Sequence, residues 1–344
     1  MDCLLFSVQV ISVDLRTNLS CGVGVKCRKD VSESSERSDR TATSVTHDDP
    51  QIPDTDSMRD ADSEEIRYVY ILNRVLPPEV RVLAWCPVDP TFSARFSCTS
   101  RTYKYFFPRG NLDTSCMLKA ANALIGEHDF RNLCKMDVGN GVVTYRRHIA
   151  AVDLTVGVGK KDVSDTVTGY EICELTITGQ AFLWHQIRCI VAILLLIGGG
   201  RENPSVISEL LDVEHHPRKP QYTMAAEFPL VLFDCAYDND DIEWRHDADS
   251  DADIVRSMQA VWAQHCVRAA MLRRMLSELG SSVRHQTECL VPGSRSRMYK
   301  PLFERDLCES LEDRIGHYAK KQKLSSADKR DKNYTKRMDG CDTV

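Results

Sequence analysis

Arg188 lies in an apolar helical pattern, GQAFLWHQIRCIVAILLLIGGG over 179–200, with Ile187, Ile190, Val191 and Ile193 as neighbours. A guanidinium is costly to bury among such side chains unless something anionic meets it. That anion is a carboxylate of the same chain, a phosphate of a ligand, or both, and each answer makes this helix the back wall of a site. A second group, FSARFSCTSRTYKY over 92–105, interleaves Arg95, Arg101 and Lys104 with Phe92, Phe96, Tyr103 and Tyr105. Alternation at period two puts cations and rings on defined faces of a strand, as suits gripping phosphates while stacking a base. An ordinary amphipathic strand fits the same pattern. GEHDFRNL, 126–133, reads as a turn held by Asp129, and His185 as a core histidine in preference to an acid or base. In KPQYTMAAEFPLVL, 219–232, Glu227 either accepts a hydrogen bond from a substrate or faces water.

These residues need a frame. Residues 6–15 pattern as a strand in preference to a signal peptide, having no basic leader and no cleavage site of small residues. The stretch from Ser20 to Glu65 is rich in Ser, Thr and Asp and reads as a disordered insertion. Order resumes with a short helix stopped by Pro77 and Pro78, a strand of Val80, Val82 and Ala84, and a second strand over 101–107. Leu112–Ile125 has helical spacing, with Asp113 as N-cap and Gly126 as stop. Strands over 148–156 and 170–178 form an antiparallel hairpin around a loop holding Lys160 and Lys161. The Arg188 helix, a short helix over 204–211 opened by Asn203 and Pro204, and a strand over 230–237 follow. That order predicts an α+β fold, antiparallel sheet with helices packed on one face. Ile254–Leu279 predicts a long amphipathic helix whose stripe of Met258, Val261, Trp262, Met271, Leu272 and Met275 is expected to pack in a core. The C-terminus is a basic tail from Lys320 to Arg337.

Composition narrows the function classes. The longest apolar run, Cys189–Ile197, is nine residues, against roughly 20 for a membrane span, so no membrane helix is expected. The fourteen cysteines are scattered singly; without a C-x-x-C or H-E-x-x-H pattern they read as reduced core thiols of a nuclear or cytoplasmic protein that holds no metal. The net charge of −6 hides an asymmetry: residues 30–65 carry −9 and residues 238–253 carry −7, which leaves the remaining body at +10. Such a body is suited to a polyanion.

Taken in order, FSARFSCTSRTYKYFF, GEHDFRNLCKMD, GQAFLWHQIRCIVAILLLIG and KPQYTMAAEFPLVLFDC resemble the TruA family of tRNA pseudouridine synthases, in the eukaryotic branch acting at tRNA positions 38 and 39. The resemblance runs from about Gln9 to Asp238 and resumes at Met298–Ile315. It implies two ferredoxin-like half-domains and a cofactor-free isomerase that flips a uridine out of the anticodon arm, detaches its base with an aspartate, rotates it and rejoins it through carbon. Tyr103 in R-T-Y-K-Y then packs against the target base, Arg101 beside it belongs to the substrate-binding set, and Arg188 pairs with the catalytic aspartate. The implied partners are tRNA and, as a homodimer, a second copy of the chain.

The resemblance also implies a nucleophile in a G-R-T-D-x-G-V segment, with glutamine eight residues after the aspartate. Counting back from Gln9 reaches Met1, so Asp2 is one residue out of register and is not assigned that role. The family's opening strand and helix are unmatched, and the expectation is an N-terminally truncated member, inactive as the 344-residue chain. The expected organisation is a remnant strand over 1–19, the acidic insertion over 20–65, the rest of an incomplete first half-domain over 66–112, the second half-domain over 113–238, an acidic loop and helical extension over 239–300, and a C-terminal segment with the basic tail over 301–344. A non-catalytic tRNA-binding protein is the alternative, and an interaction scaffold using the long helix ranks third.

Overall fold

The computed structural model describes residues 9–17, 65–77, 79–140, 142, 144–158, 169–238, 242–279 and 299–320. Asp2, nearly all of the acidic insertion, the Lys160–Lys161 loop and the basic tail beyond Lys320 lie outside the described residues. The chain forms two compact units.

The smaller unit takes its described residues from 10–97 and 237–271. Its helix α1, Tyr68–Val75, buries Tyr68 and Val69, and the Tyr68 ring meets Trp85 edge-on at 4.8 Å. The expected strand through Val80, Val82 and Ala84 does not form. The Asn73 amide takes both backbone groups of Val82, donating to its carbonyl at 3.0 Å and accepting from its N–H at 2.8 Å, so neither is free for a ladder. Residues 9–17 likewise form no strand. Hydrogen bonds tie them to the unit, from Ala94 N–H to Ser12 Oγ, from the Tyr68 hydroxyl to the Arg16 carbonyl and from the Thr17 hydroxyl to Glu65 at 2.7 Å.

The larger unit is built on five strands: β1 Ser100–Pro108, β2 Gly126–Asp129, β3 Arg146–Val156, β4 Ile172–Gly179 and β5 Leu230–Ala236. Their spatial order is β2-β3-β4-β1-β5 and every neighbouring pair is antiparallel. Alternation assigns the faces. Tyr105, Phe107, Cys173, Leu175 and Ile177 point into a core shared with helices α2, Thr114–Ala121, and α3, Gln186–Gly198. The opposite face is polar, with Lys104 paired to Glu174 at 2.7 Å and the Thr102 and Thr178 hydroxyls 3.0 Å apart. The fold is the expected α+β arrangement of an antiparallel sheet with helices. Asp113 caps α2 by accepting from the Ser115 and Cys116 N–H groups, and Gly126 ends the following turn at φ 106°, where a side chain is strained. Helix α4, Val206–Leu211, buries Val206, Ile207 and Leu210.

The half-domain boundary expected at 113 is displaced. β1 stands between β4 and β5 with both edges hydrogen-bonded, so the sheet unit begins at Cys98. The segment 299–320 is also integral to this unit: Leu302 is fully buried in the core, and Glu202 accepts from its N–H and from the Tyr299 hydroxyl. Helix α5, Ala248–Glu278, buries only Ser250 and Ile254. Its stripe of Met258, Trp262, Met271, Leu272 and Met275 is exposed rather than part of a core, because periodicity defines an apolar face without supplying what covers it.

Gly179 makes one corner of the sheet possible. A Cβ there would stand 2.8 Å from the His148 carbonyl oxygen and 3.0 Å from the Phe182 ring. Gly179→Ala is therefore expected to destabilise the protein by about 1–3 kcal/mol, read as a lower urea midpoint; an unchanged midpoint would show that the corner yields freely.

Candidate active site

Within the larger unit, the start of β1 and the end of β4 adjoin the N-terminus of α3. Bulges disturb the ladder on both sides of this corner, at Thr102/Tyr103 against β5 and at Ile149/Ala151 against β4, and bulges re-aim side chains. From β1, Tyr103 projects on the same face as Tyr105. Its ring meets Phe182 of the β4–α3 loop edge-on, with centroids 5.1 Å apart. Burial raises the Tyr103 phenol above its ordinary range, so at neutral pH it is an uncharged ring with a hydroxyl that has no assigned partner among the described residues. Arg101, two residues earlier, donates from Nη1 to the Gln180 carbonyl at 3.0 Å. That contact ties it to the loop leading into α3.

Arg188 occupies the first turn of α3, its side chain 16% exposed. Apolar neighbours bury most of that turn, and the guanidinium is satisfied from the 219–232 segment. Nε donates to the Ala225 carbonyl at 2.8 Å, and Nη1 meets Glu227 Oε2 at 3.2 Å. The Ala225 N–H returns a bond to the Arg188 carbonyl at 3.2 Å. Glu227 is 75% exposed, so it faces water and pairs with Arg188 at once. Nη2 has no assigned acceptor among the described residues, which leaves one edge of the fork for an anion. Behind it, burial pushes the Tyr105 phenol up to about 12, a rise the nearby Arg188 charge opposes, and the Tyr105 hydroxyl donates to the Ala226 carbonyl at 3.1 Å.

Residues that the sequence pattern does not single out lock this arrangement. Asn132 is fully buried, its Nδ2 donating to the carbonyls of Leu210 at 3.0 Å and His216 at 2.7 Å. Its own carbonyl accepts from the Tyr222 hydroxyl at 2.7 Å. Buried Lys219 donates from Nζ to the Cys134 carbonyl at 2.7 Å. The 219–227 segment is thus threaded between α3 and residues 132–134. In the sequence Lys219, Gln221 and Tyr222 lie within the polar run EHHPRKPQYT, 214–223, which gives no signal that Lys219 is buried. The expected turn over 126–133 is instead strand β2 through Asp129, which ends the strand and holds the turn that follows by accepting from the Arg131 N–H at 2.9 Å and pairing with its guanidinium at 2.7 Å. The described cysteines are free, with Cys173 and Cys189 fully buried. Among the described residues no cluster of three or more His, Cys, Asp or Glu side chains is placed to hold a metal, and no helix is long and apolar enough to cross a membrane.

His185, immediately before α3, has a left-handed backbone at φ 57°, the one non-glycine among the described residues with positive φ. Such strain concentrates at functional sites. Burial, reinforced by Arg188, holds its pKa below the ordinary histidine value. The unfolded chain then takes up the proton first as pH falls. The stability His185 contributes is complete above pH about 6.5 and is lost as pH falls through the lower folded-state value. Between pH 7 and pH 5 the melting temperature of His185→Asn, which tolerates the left-handed backbone, is expected to fall less than that of the unsubstituted chain. Parallel curves would contradict this.

A family profile described as tRNA pseudouridine synthase matches residues 120–238, from the end of α2 to just beyond β5. The chain is 45% identical over 286 residues to the human tRNA pseudouridine(38/39) synthase, covering 77% of this chain and 59% of that protein. It is 40% identical over 273 residues to a probable tRNA pseudouridine synthase of Caenorhabditis elegans, covering 76% and 67%. With the tRNA pseudouridine(38/39) synthase of Saccharomyces cerevisiae it shares 33% identity over 271 residues, covering 76% and 58%. The chain thus spans about three-fifths of the human and yeast relatives, and the matched span carries the Tyr103 and Arg188 corner described above. This chain belongs to the TruA-type tRNA pseudouridine synthase family.

Proposed function

We propose that the protein isomerises uridine to pseudouridine in the anticodon stem-loop of tRNA, at the positions named for its human and yeast relatives, 38 and 39. The observation that carries this is the Arg188 guanidinium, pinned through Nε and Nη1 with its remaining edge unassigned, in the corner that also holds Tyr103. In the reaction the bond from ribose C1′ to base N1 breaks, the base turns, and a bond from C1′ to C5 forms while the C5 hydrogen leaves as a proton and the freed N1 takes one up. Substrate and product are isomers, so the step needs no oxidant or reductant. Tyr103 supplies an uncharged ring against the base. The attacking carboxylate is the aspartate of the G-R-T-D-x-G-V segment that the family resemblance implies, and Arg188 holds it ionised, since a neighbouring cation favours the charged form. Arg101 steadies the loop that frames the base. The basic body outside the two acidic segments supports a polyanionic partner, and the free thiols support a nuclear or cytoplasmic setting. The homodimer belongs to the same proposal and is checked by molar mass from light scattering.

Tritium release from tRNA labelled at uridine C5 tests the activity in the chain joined to the G-R-T-D-x-G-V segment that the family resemblance implies, with stoichiometric release expected there and none overturning it. One observation favours a second reading: the carboxylate that Arg188 meets among the described residues is exposed Glu227, an arrangement that also serves a protein that binds tRNA without chemistry. That reading predicts salt-sensitive tRNA binding with no release.

A further inference from the structure

Trp184 stands in the loop between β4 and α3, flanked by Phe182, whose ring meets Tyr103, and by His185. Its side chain is nonetheless 48% exposed. The backbone beneath it is fixed: the Lys135 N–H donates to the Trp184 carbonyl at 3.0 Å, and the next residue is the left-handed His185. The ring is fixed as well. Lys135 Nζ lies 4.4 Å from the indole centroid, and the His185 ring is tilted against it with centroids 4.6 Å apart. Lys135 is itself exposed and has no assigned carboxylate partner among the described residues. Core packing therefore accounts for neither the orientation of the indole nor the position of the ammonium. Both are held in place with their binding capacity open.

A rigid exposed ring beside an unpaired cation matches what single-stranded RNA offers, a base with a π-face and an adjoining phosphate. We propose that Trp184 and Lys135 form a stacking platform for an unpaired base of the RNA next to the one held at Tyr103 and Arg188, an inference that rests on the RNA-modifying reading above. In the free protein the ammonium covers the indole. When a base stacks on the ring, the flexible lysine stem carries the ammonium onto the neighbouring phosphate. Histidine at 185 stays neutral and apolar enough to back the ring, consistent with its depressed basicity. A paired helix keeps its bases stacked on one another and offers none to the indole, so the platform selects loop nucleotides over duplex.

The test is a titration of the full chain with a synthetic anticodon stem-loop RNA and with a fully paired duplex of the same length, followed by tryptophan fluorescence and by filter binding. The stem-loop is expected to quench the emission and the duplex is not. Trp184→Phe should keep affinity within about threefold while losing that quench, and Trp184→Ala, with its melting curve checked, should bind the stem-loop about 5- to 100-fold more weakly. Lys135→Gln should reduce the slope of log affinity against log salt by about one. Equal quenching by Trp184→Phe and the unsubstituted chain, or equal stem-loop affinity for Trp184→Ala, overturns the platform. Tritium release by the chain joined to the G-R-T-D-x-G-V segment separates the two proposals. Quenching without release sustains the platform and removes the synthase reading; release without a Trp184-dependent signal does the reverse; and no binding to either RNA removes both.

Discussion

Replacing Arg188 with methionine, in the chain joined to the G-R-T-D-x-G-V segment, is expected to cut tritium release from C5-labelled tRNA by about 100- to 1,000-fold and to lower the melting temperature in the same protein. Two consequences share one cause. The guanidinium is the donor that satisfies the Ala225 carbonyl at 2.8 Å, and Ala225 is itself buried. Removing it deletes a charged hydrogen bond and leaves that carbonyl unpaired, a loss of about 2–3 kcal/mol or about 4–12 °C for a unit of this size. Lysine is not expected to restore function, because one ammonium cannot hold the carbonyl while presenting a second donor edge. Glu227→Gln provides the contrast. That carboxylate is mostly exposed, and a pair screened by water contributes at most about 1 kcal/mol, so stability should barely change. An Arg188→Met protein with ordinary melting and ordinary turnover would show that the corner at Tyr103 is not where the chemistry happens.

Asn132→Ala is expected to produce the largest loss of stability from a residue that touches no substrate. Its amide donates to Leu210 and His216, and its carbonyl accepts from Tyr222, so a single buried side chain and its backbone join α4, the segment after it and the 219–227 loop. Alanine leaves the buried Leu210 carbonyl and the half-buried His216 carbonyl without donors and opens a small cavity, together costing about 3–5 kcal/mol. Leucine fills the volume but still leaves both carbonyls unpaired, and should recover less than half of the loss. Chemical unfolding of the three proteins checks this, and a loss below about 1 kcal/mol for alanine would mean that water replaces the amide. Because Tyr222 belongs to the loop that carries Ala225 and Glu227, both variants should also weaken catalysis below their unfolding midpoints.

Local features are legible in the residues. Asp113 as a helix cap, Gly126 as a stop, the β3–β4 hairpin and helix α3 each depend on interactions within a few residues or on one short connection, and each is present. Three expectations fail for a common reason, that their outcome depends on distant groups. Val82 patterns as a strand, but the Asn73 amide claims its backbone. The order of elements groups β1 with what precedes it, but its hydrogen-bonding partners are β4 and β5, which follow it far along the chain. The α5 stripe has helical spacing, and spacing is silent on what lies opposite. Arg188 stands out in the sequence because a cation among isoleucines demands a partner. Glu227 is open there between substrate and solvent; the folded chain gives it to Arg188 while leaving it in water.

By itself, then, the sequence determined the class of fold, the family, and which cation had to be answered by an anion or a carbonyl, because hydrophobic period, caps and the cost of burying a charge act locally along the chain. Tertiary structure alone decided that Ala225 and Glu227 answer Arg188, that Asn132 and Tyr222 hold the segment that brings them there, and that Trp184 remains exposed under Lys135. Those outcomes are set by contacts between residues remote in sequence, whose distances exist only once the sheet has closed β1 between β4 and β5.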